Sequence, residues 1–129
     1  MVLEDESGFS LVSPLKRSWS PRGQTPAIRT SLQHHQRLNL LGALLVRSDS
    51  GRSKQTTRYY RHSLRGEEVV AFLQQVLRIV PGEIVLVWDN HPIHKRQLVK
   101  EFLAENPRVH MDYFPIYAPE LNPVEFVWT

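Results

Sequence analysis

The sequence predicts an α/β domain, a mixed sheet flanked by helices. Apolar, β-compatible segments joined by short turns fill the first half, and strands alternate with helices in the second. Short turns favour antiparallel pairing, while strand–helix–strand alternation favours parallel crossovers, so one sheet is expected to contain both. With 129 residues, 41% hydrophobic and 22% charged, the chain is sized for a single domain with its own core.

The elements follow in order. Residues 1–5 (MVLED) read as a short strand ending in acids, with Ser7 and Gly8 as a turn. From Ser10 to Pro26 the text is polar and punctuated by Pro14, Pro21, Gly23 and Pro26, which predicts irregular hairpins anchored by Trp19. Residues 37–46 (RLNLLGALLV) form an apolar strand closed by the turn cluster SDSGRS, and Thr56 to His62 offers a more polar one. Between Gly66 and Val80 the period changes. Val69, Val70, Phe72, Leu73, Val76, Leu77 and Val80 share one helical face, and Glu67 and Glu68 sit in the first turn, where the helix dipole favours acids. Pro81-Gly82 stops this helix. Ile84 to Trp88 (IVLVW) is an uninterrupted apolar run, expected to be a central strand buried on both faces. A second helix is expected from about Lys95 to Glu105, then a strand over Val109 to Phe114. Asn122-Pro123 begins a last helix, with Asn122 as N-cap and Pro123 at the first helical position. Only four residues follow Glu125, so this helix is expected to be cut short, since one turn does not stand alone.

Charge is sorted along the chain. From Lys16 to Arg65 there are eleven Lys/Arg against one acid, Asp49, although the formal net charge of the whole chain is only +3. Such an arginine-rich stretch, interleaved with Trp19, Tyr59 and Tyr60, suits a phosphate-binding surface, and the candidate contacts are Arg17, Arg22, Arg29, Arg37, Arg52, Lys54, Arg58 and Arg61. The competing reading is a solvated charged face. The absence of cysteine excludes disulfides, thiolate zinc sites and cysteine nucleophiles. No apolar run approaches the roughly 20 residues that cross a bilayer, so no membrane partner is expected and the location is read as cytoplasmic. His91 and His94 are three apart, but Pro92 lies between them and no cysteine completes a zinc set.

Three acids stand where this fold can bring them together: Asp5 at the end of the first strand, Asp89 after the buried strand, and Glu125 in the first turn of the last helix. Carboxylates converging in this way suit hard cations and phosphodiester chemistry. Each also has a local explanation. Asp5 fits a turn former, Asp89 an Asx turn into Asn90-His91-Pro92, and Glu125 the capping box Asn122-x-x-Glu125.

The motifs LEDESGF (3–9), WSPRGQTP (19–26), VLVWDNHPIH (85–94) and YFPIYAPELNPVEFVW (113–128), with 35 residues between Asp89 and Glu125, resemble the catalytic domain of the mariner-type DDE transposases, in particular the bacterial insertion-sequence branch described as DDE superfamily endonucleases. The resemblance implies an RNase H-like fold over residues 1–129 and a metal-holding catalytic triad of Asp5, Asp89 and Glu125, supported by Asn90, His94 and Asn122. It implies two Mg²⁺, with Mn²⁺ able to substitute. The implied reaction frees a 3′-hydroxyl at the transposon ends and uses it to attack target DNA, with no covalent enzyme intermediate, in a homodimer assembled on DNA of the bacterial nucleoid. The family's N-terminal helix-turn-helix region is not in this sequence. The alternatives are a catalytically inactive DNA-binding or dimerisation remnant, and an RNase H-like nuclease with no role in transposition.

Overall fold

The computed structural model describes residues 1–10, 19–26 and 37–128, and five strands in it form one sheet. The strands are β1 (Val2–Ser10), β2 (Arg37–Val46), β3 (Ser53–Tyr60), β4 (Ile84–Trp88) and β5 (Val109–Tyr113), in the order β3-β2-β1-β4-β5. β1, β2 and β3 pair antiparallel, whereas β4 pairs parallel with both β1 and β5. The expected mixture therefore divides at β1. Two helices connect the parallel half: α1 (Gly66–Ile79) between β3 and β4, and α2 (Gln97–Glu105) between β4 and β5.

One face of the sheet carries the core. Val2, Leu41, Ala43, Leu45, Ile84, Leu86 and Trp88 alternate along their strands and pack with Val69, Phe72, Leu73 and Val76 of α1 and Val99 of α2. Leu3 and Val124 are buried outside that cluster, on the other face, where the short 3₁₀ segment Pro123–Val127 lies against β1 and β2.

Several expectations need correction. β1 does not turn at Ser7-Gly8, because its pairing with β2 runs unbroken from Val2↔Leu45 to Ser10↔Arg37. A full ladder of backbone bonds overrides the local turn preference, and Asp5 consequently sits in mid-strand. β3 starts at Ser53 and ends at Tyr60, short of His62. β4 is not buried on both faces: Ile84, Leu86 and Trp88 face the helices, while Val85 is 48% exposed on a face covered only in part. α2 starts at Gln97, after a separate 3₁₀ turn (Pro92–Lys95), and the last segment is 3₁₀ rather than α. Trp19 is fully exposed, so among the described residues its indole anchors no packing; the turn at Pro21 to Gln24 is present, and the rest of the expected hairpin stretch, residues 11–18, lies outside the described residues. Among the described residues no helix is long and apolar enough to cross a membrane.

Candidate active site

The β1–β4 register assembles the acids. Val2 pairs with Leu86 and Leu3 with Val87, so two residues further on Asp5 stands level with Asp89, just past the end of β4. Alternation along β1 then sorts its three acids. Glu4 and Glu6 share the helix-side face with Val2, and Asp5 points to the other face. Asp5, Glu6 and Asp89 present carboxylate oxygens all within 4.8 Å of one another. Glu125 does not join that group, but it lines the same two cavities as Asp5 and Asp89 and its charge bears on Asp5.

Asp5 is buried. Burial pushes its carboxyl up to about 6, the Trp128 hydrogen bond pulls it down, and the charges of Glu125 and Glu6 raise it. Trp128 Nε1 donates to Asp5 Oδ2 at 2.8 Å. The indole can lie this close because Gly42, the cross-strand partner of Asp5, has no side chain; a Cβ there would stand 2.5 Å from the ring. Trp128→Phe is expected to raise the Asp5 pKa above about 6, read by carboxyl ¹³C titration. A lower value would contradict this account.

Asp89 is held from both sides. Its Oδ1 accepts from His91 N–H at 2.9 Å, which is the predicted Asx turn, and lies 3.2 Å from His94 Nδ1. The His94 contact, ahead of the cost of burial, holds Asp89 below the usual carboxylate range. His94 itself is buried, with its ring stacked 4.1 Å from and within 5° of Trp88. Its Nε2 lies 2.6 Å from Glu6 and 3.2 Å from Glu4, ion-pair approaches that lack hydrogen-bond directionality. Burial pulls the imidazole pKa down, yet Asp89, Glu4 and Glu6 outweigh it and push it up to about 12. Glu4, fully buried, is pushed up to about 8 by burial and by Glu6, with His94 opposing. The cage is therefore an imidazolium among acids, with Glu4 held above and Asp89 below the usual carboxylate range.

Two asparagines fasten the surrounding loops. Asn90 Nδ2 donates to Phe114 O at 3.1 Å, tying the end of β4 to the segment after β5. Asn122 is buried; its Nδ2 donates to Glu4 O at 3.1 Å and its Oδ1 accepts from Val124 N–H at 3.1 Å. The capping box is absent, because Asn122 N–H donates to Pro119 O rather than to Glu125. Glu125 is thus not committed to that cap.

The basic candidates are spread out. Arg37 is exposed and lines the cavity beside the acids. Arg58 and Arg61 are exposed on and just beyond the edge strand β3, and Arg22 is exposed near the Pro21 turn. Arg52 and Lys54 line a separate cavity of about 430 Å³ with Met1 and Pro81, at the end of the sheet away from the acids. Arg17 and Arg29 lie outside the described residues. Sequence reasoning missed Glu4, Glu6 and Trp128. An unbroken β1 would have placed two acids on the core side, which is a warning that buried charge needs a partner; Trp128 carried no such signal.

Residues 1–129 match the family model for DDE superfamily endonuclease. The chain is 30% identical over 125 residues to the insertion element IS630 uncharacterized 39 kDa protein of Shigella sonnei, covering 97% of this chain and 35% of that protein. In fold it is similar to a pre-cleavage Mos1 transpososome (TM-score 0.66, 18% identity, 97% of this chain and 39% of that one) and to the mariner Mos1 paired end complex with Mg (TM-score 0.62, 18% identity, 97% and 38%). It therefore spans little more than a third of the length of these proteins. Matched by the family model from first residue to last, with its acids on an RNase H-like sheet, the chain belongs to the DDE superfamily endonucleases.

Proposed function

We propose that this chain cuts DNA strands in a divalent-metal-dependent reaction and joins the freed 3′-hydroxyl to target DNA. The observation that carries this reading is the β1–β4 register, which sets Asp5 level with Asp89 while Glu125 borders the same cavities. Asp5, Asp89 and Glu125 would hold two Mg²⁺, or Mn²⁺ in their place, because an all-oxygen donor set suits hard cations. Glu6 is a further oxygen ligand within reach. A bound pair would activate the attacking oxygen and neutralise the leaving one.

The chain's own residues orient these ligands. His94 grips Asp89 on one side and Glu6 on the other, fixing the end of β4 against β1. Asn122 pins the Glu125 segment to β1, and Asn90 holds the loop that closes the cavity. Arg37 and the arginines of β3 would meet DNA phosphates at the transposon ends and target. Assembly as a homodimer on nucleoid DNA in the cytoplasm, with residues 1–129 as the catalytic unit, completes the proposal.

Supercoiled DNA tests it. Nicked circles and joined donor–target products are expected with Mg²⁺ and neither with a chelator. Nicking without joined products would favour a plain nuclease, and binding without nicking an inactive remnant. Cations compete with the proton on Asp5, so both Mg²⁺ affinity and nicking rate are expected to fall as pH drops through about 6, by about tenfold per pH unit below it. Calorimetry of Mg²⁺ binding across pH 5 to 8 checks this, and a flat profile would contradict it.

A further inference from the structure

Two cavities flank the acids and share Asp5, Asp89, His91 and Glu125 in their walls. One, of about 390 Å³, is bordered by Arg37, which has no ion pair among the described residues. The other, of about 240 Å³, is walled by residues 114–119, with Phe114, Pro115 and Ile116 making it apolar. A groove with Arg37 on its border thus continues, across the carboxylates, into an apolar one.

Tyr117 stands at the apolar side and is unusual in two ways. Its φ is +61°, the one positive φ of a non-glycine among the described residues, and its side chain is 97% exposed. A bulky residue in the left-handed region is strained, and strain of this kind collects where it serves a ligand. An exposed ring gains nothing from the core in return. The neighbouring Ile116 is 69% exposed, so the wall is open to a flat apolar group. The cavity is smaller than the about 300–1,000 Å³ of pockets that enclose a whole drug-sized ligand, which suits a protruding fragment of a larger substrate.

We propose that Tyr117 holds substrate by stacking on an unpaired nucleobase beside the phosphate held at the carboxylates, with the backbone of the same strand running over Arg37. The inference rests on the DNA reading above and adds to it which side of the site receives the base. Phosphate is anionic and belongs with Arg37 and the cations; the base is planar and apolar on its faces and belongs with the aromatic wall.

Binding without cleavage tests it. Fluorescence anisotropy with Ca²⁺ in place of Mg²⁺ would compare a duplex carrying a single-stranded extension with duplexes bearing one abasic site placed in turn across the junction. Tyr117→Ala is expected to weaken binding to the intact duplex by about 5- to 150-fold, the range for losing one base–aromatic stack. Tyr117→Phe is expected to bind as wild type. On one abasic duplex the Ala penalty should vanish. Tyr117→Gly, which keeps the left-handed backbone available, should show the same loss as Ala and so separates the ring from the loop. Equal penalties on the intact and every abasic duplex would overturn the stacking assignment alone, as would a Tyr117→Gly chain that binds as tightly as wild type. Unimpaired DNA binding with loss of a dimer in sedimentation would overturn it in favour of a protein interface. A wild-type chain that binds no duplex overturns the DNA reading and this inference together.

Discussion

Asp89→Asn is expected to lower Mg²⁺-dependent nicking roughly a thousandfold, the loss that follows from giving up several kcal/mol of charge stabilisation at the phosphate. The substitution separates the proposed metal role of Asp89 from the turn that the structure shows. Asp89 Oδ1 accepts from His91 N–H, and an amide oxygen still accepts that bond, though more weakly than a carboxylate. The Asx turn should therefore persist. What the amide cannot supply is charge for the hard cations. A variant that folds, keeps its turn and no longer nicks supports the metal role, whereas one that nicks at the wild-type rate removes Asp89 from the chemistry and leaves it a turn former. Circular dichroism beside the plasmid assay distinguishes these outcomes.

His94→Ala is expected to have the largest effect on stability, a loss of about 3–5 kcal/mol, because removing one partner of a buried ion pair strands the others. The buried Glu4 and the nearby Glu6 would lose the cation between them, and Trp88 the ring stacked on it. The pH dependence of the wild-type chain follows from the same cage. Glu4 is raised from 4.5 to about 8 and His94 from 6.5 to about 12, so each binds its proton more tightly in the folded state. The Glu4 contribution is complete below its unfolded value and is lost as pH rises through about 8; that of His94 is complete below about 6.5 and is lost toward about 12. Asp5, raised to about 6, acts in the same direction. The metal-free chain is thus expected to be more stable at pH 5 than at pH 9 in urea titrations. Greater stability at pH 9, or a His94→Ala loss below about 1 kcal/mol, would contradict the imidazolium cage.

How far the fold was legible in the sequence depended on whether an element is determined locally. α1 was readable because Val69, Phe72, Leu73 and Val76 repeat on one face and Pro81-Gly82 ends it, signals that need no partner. β1 was not, since Ser7-Gly8 looks like a turn until β2 supplies hydrogen bonds through Ser10. IVLVW declared a strand but not its neighbours, so the exposure of Val85 could not be foreseen. At the site, motif resemblance singled out Asp5, Asp89 and Glu125, and the fold sets all three on shared cavities. It gave no hint that Glu6 would approach His94, a contact created by the parallel register and the 3₁₀ turn at Pro92. The basic stretch read as one surface, but the fold separates Arg37 from Arg52 and Lys54 by the length of the sheet.

The side-chain bonds from Asn122 to β1 and from Trp128 to Asp5 join residues 118 and 123 positions apart in the chain. Asp5 is built into a nine-residue strand and Asp89 is clamped by a buried ring, so both share the permanence of the sheet. Glu125 rides on a few 3₁₀ residues tethered by those distant contacts. Local opening of that tether separates Glu125 from Asp5 and Asp89 while every strand stays paired, so the grouping of the three acids and the integrity of the fold are separate equilibria in this molecule.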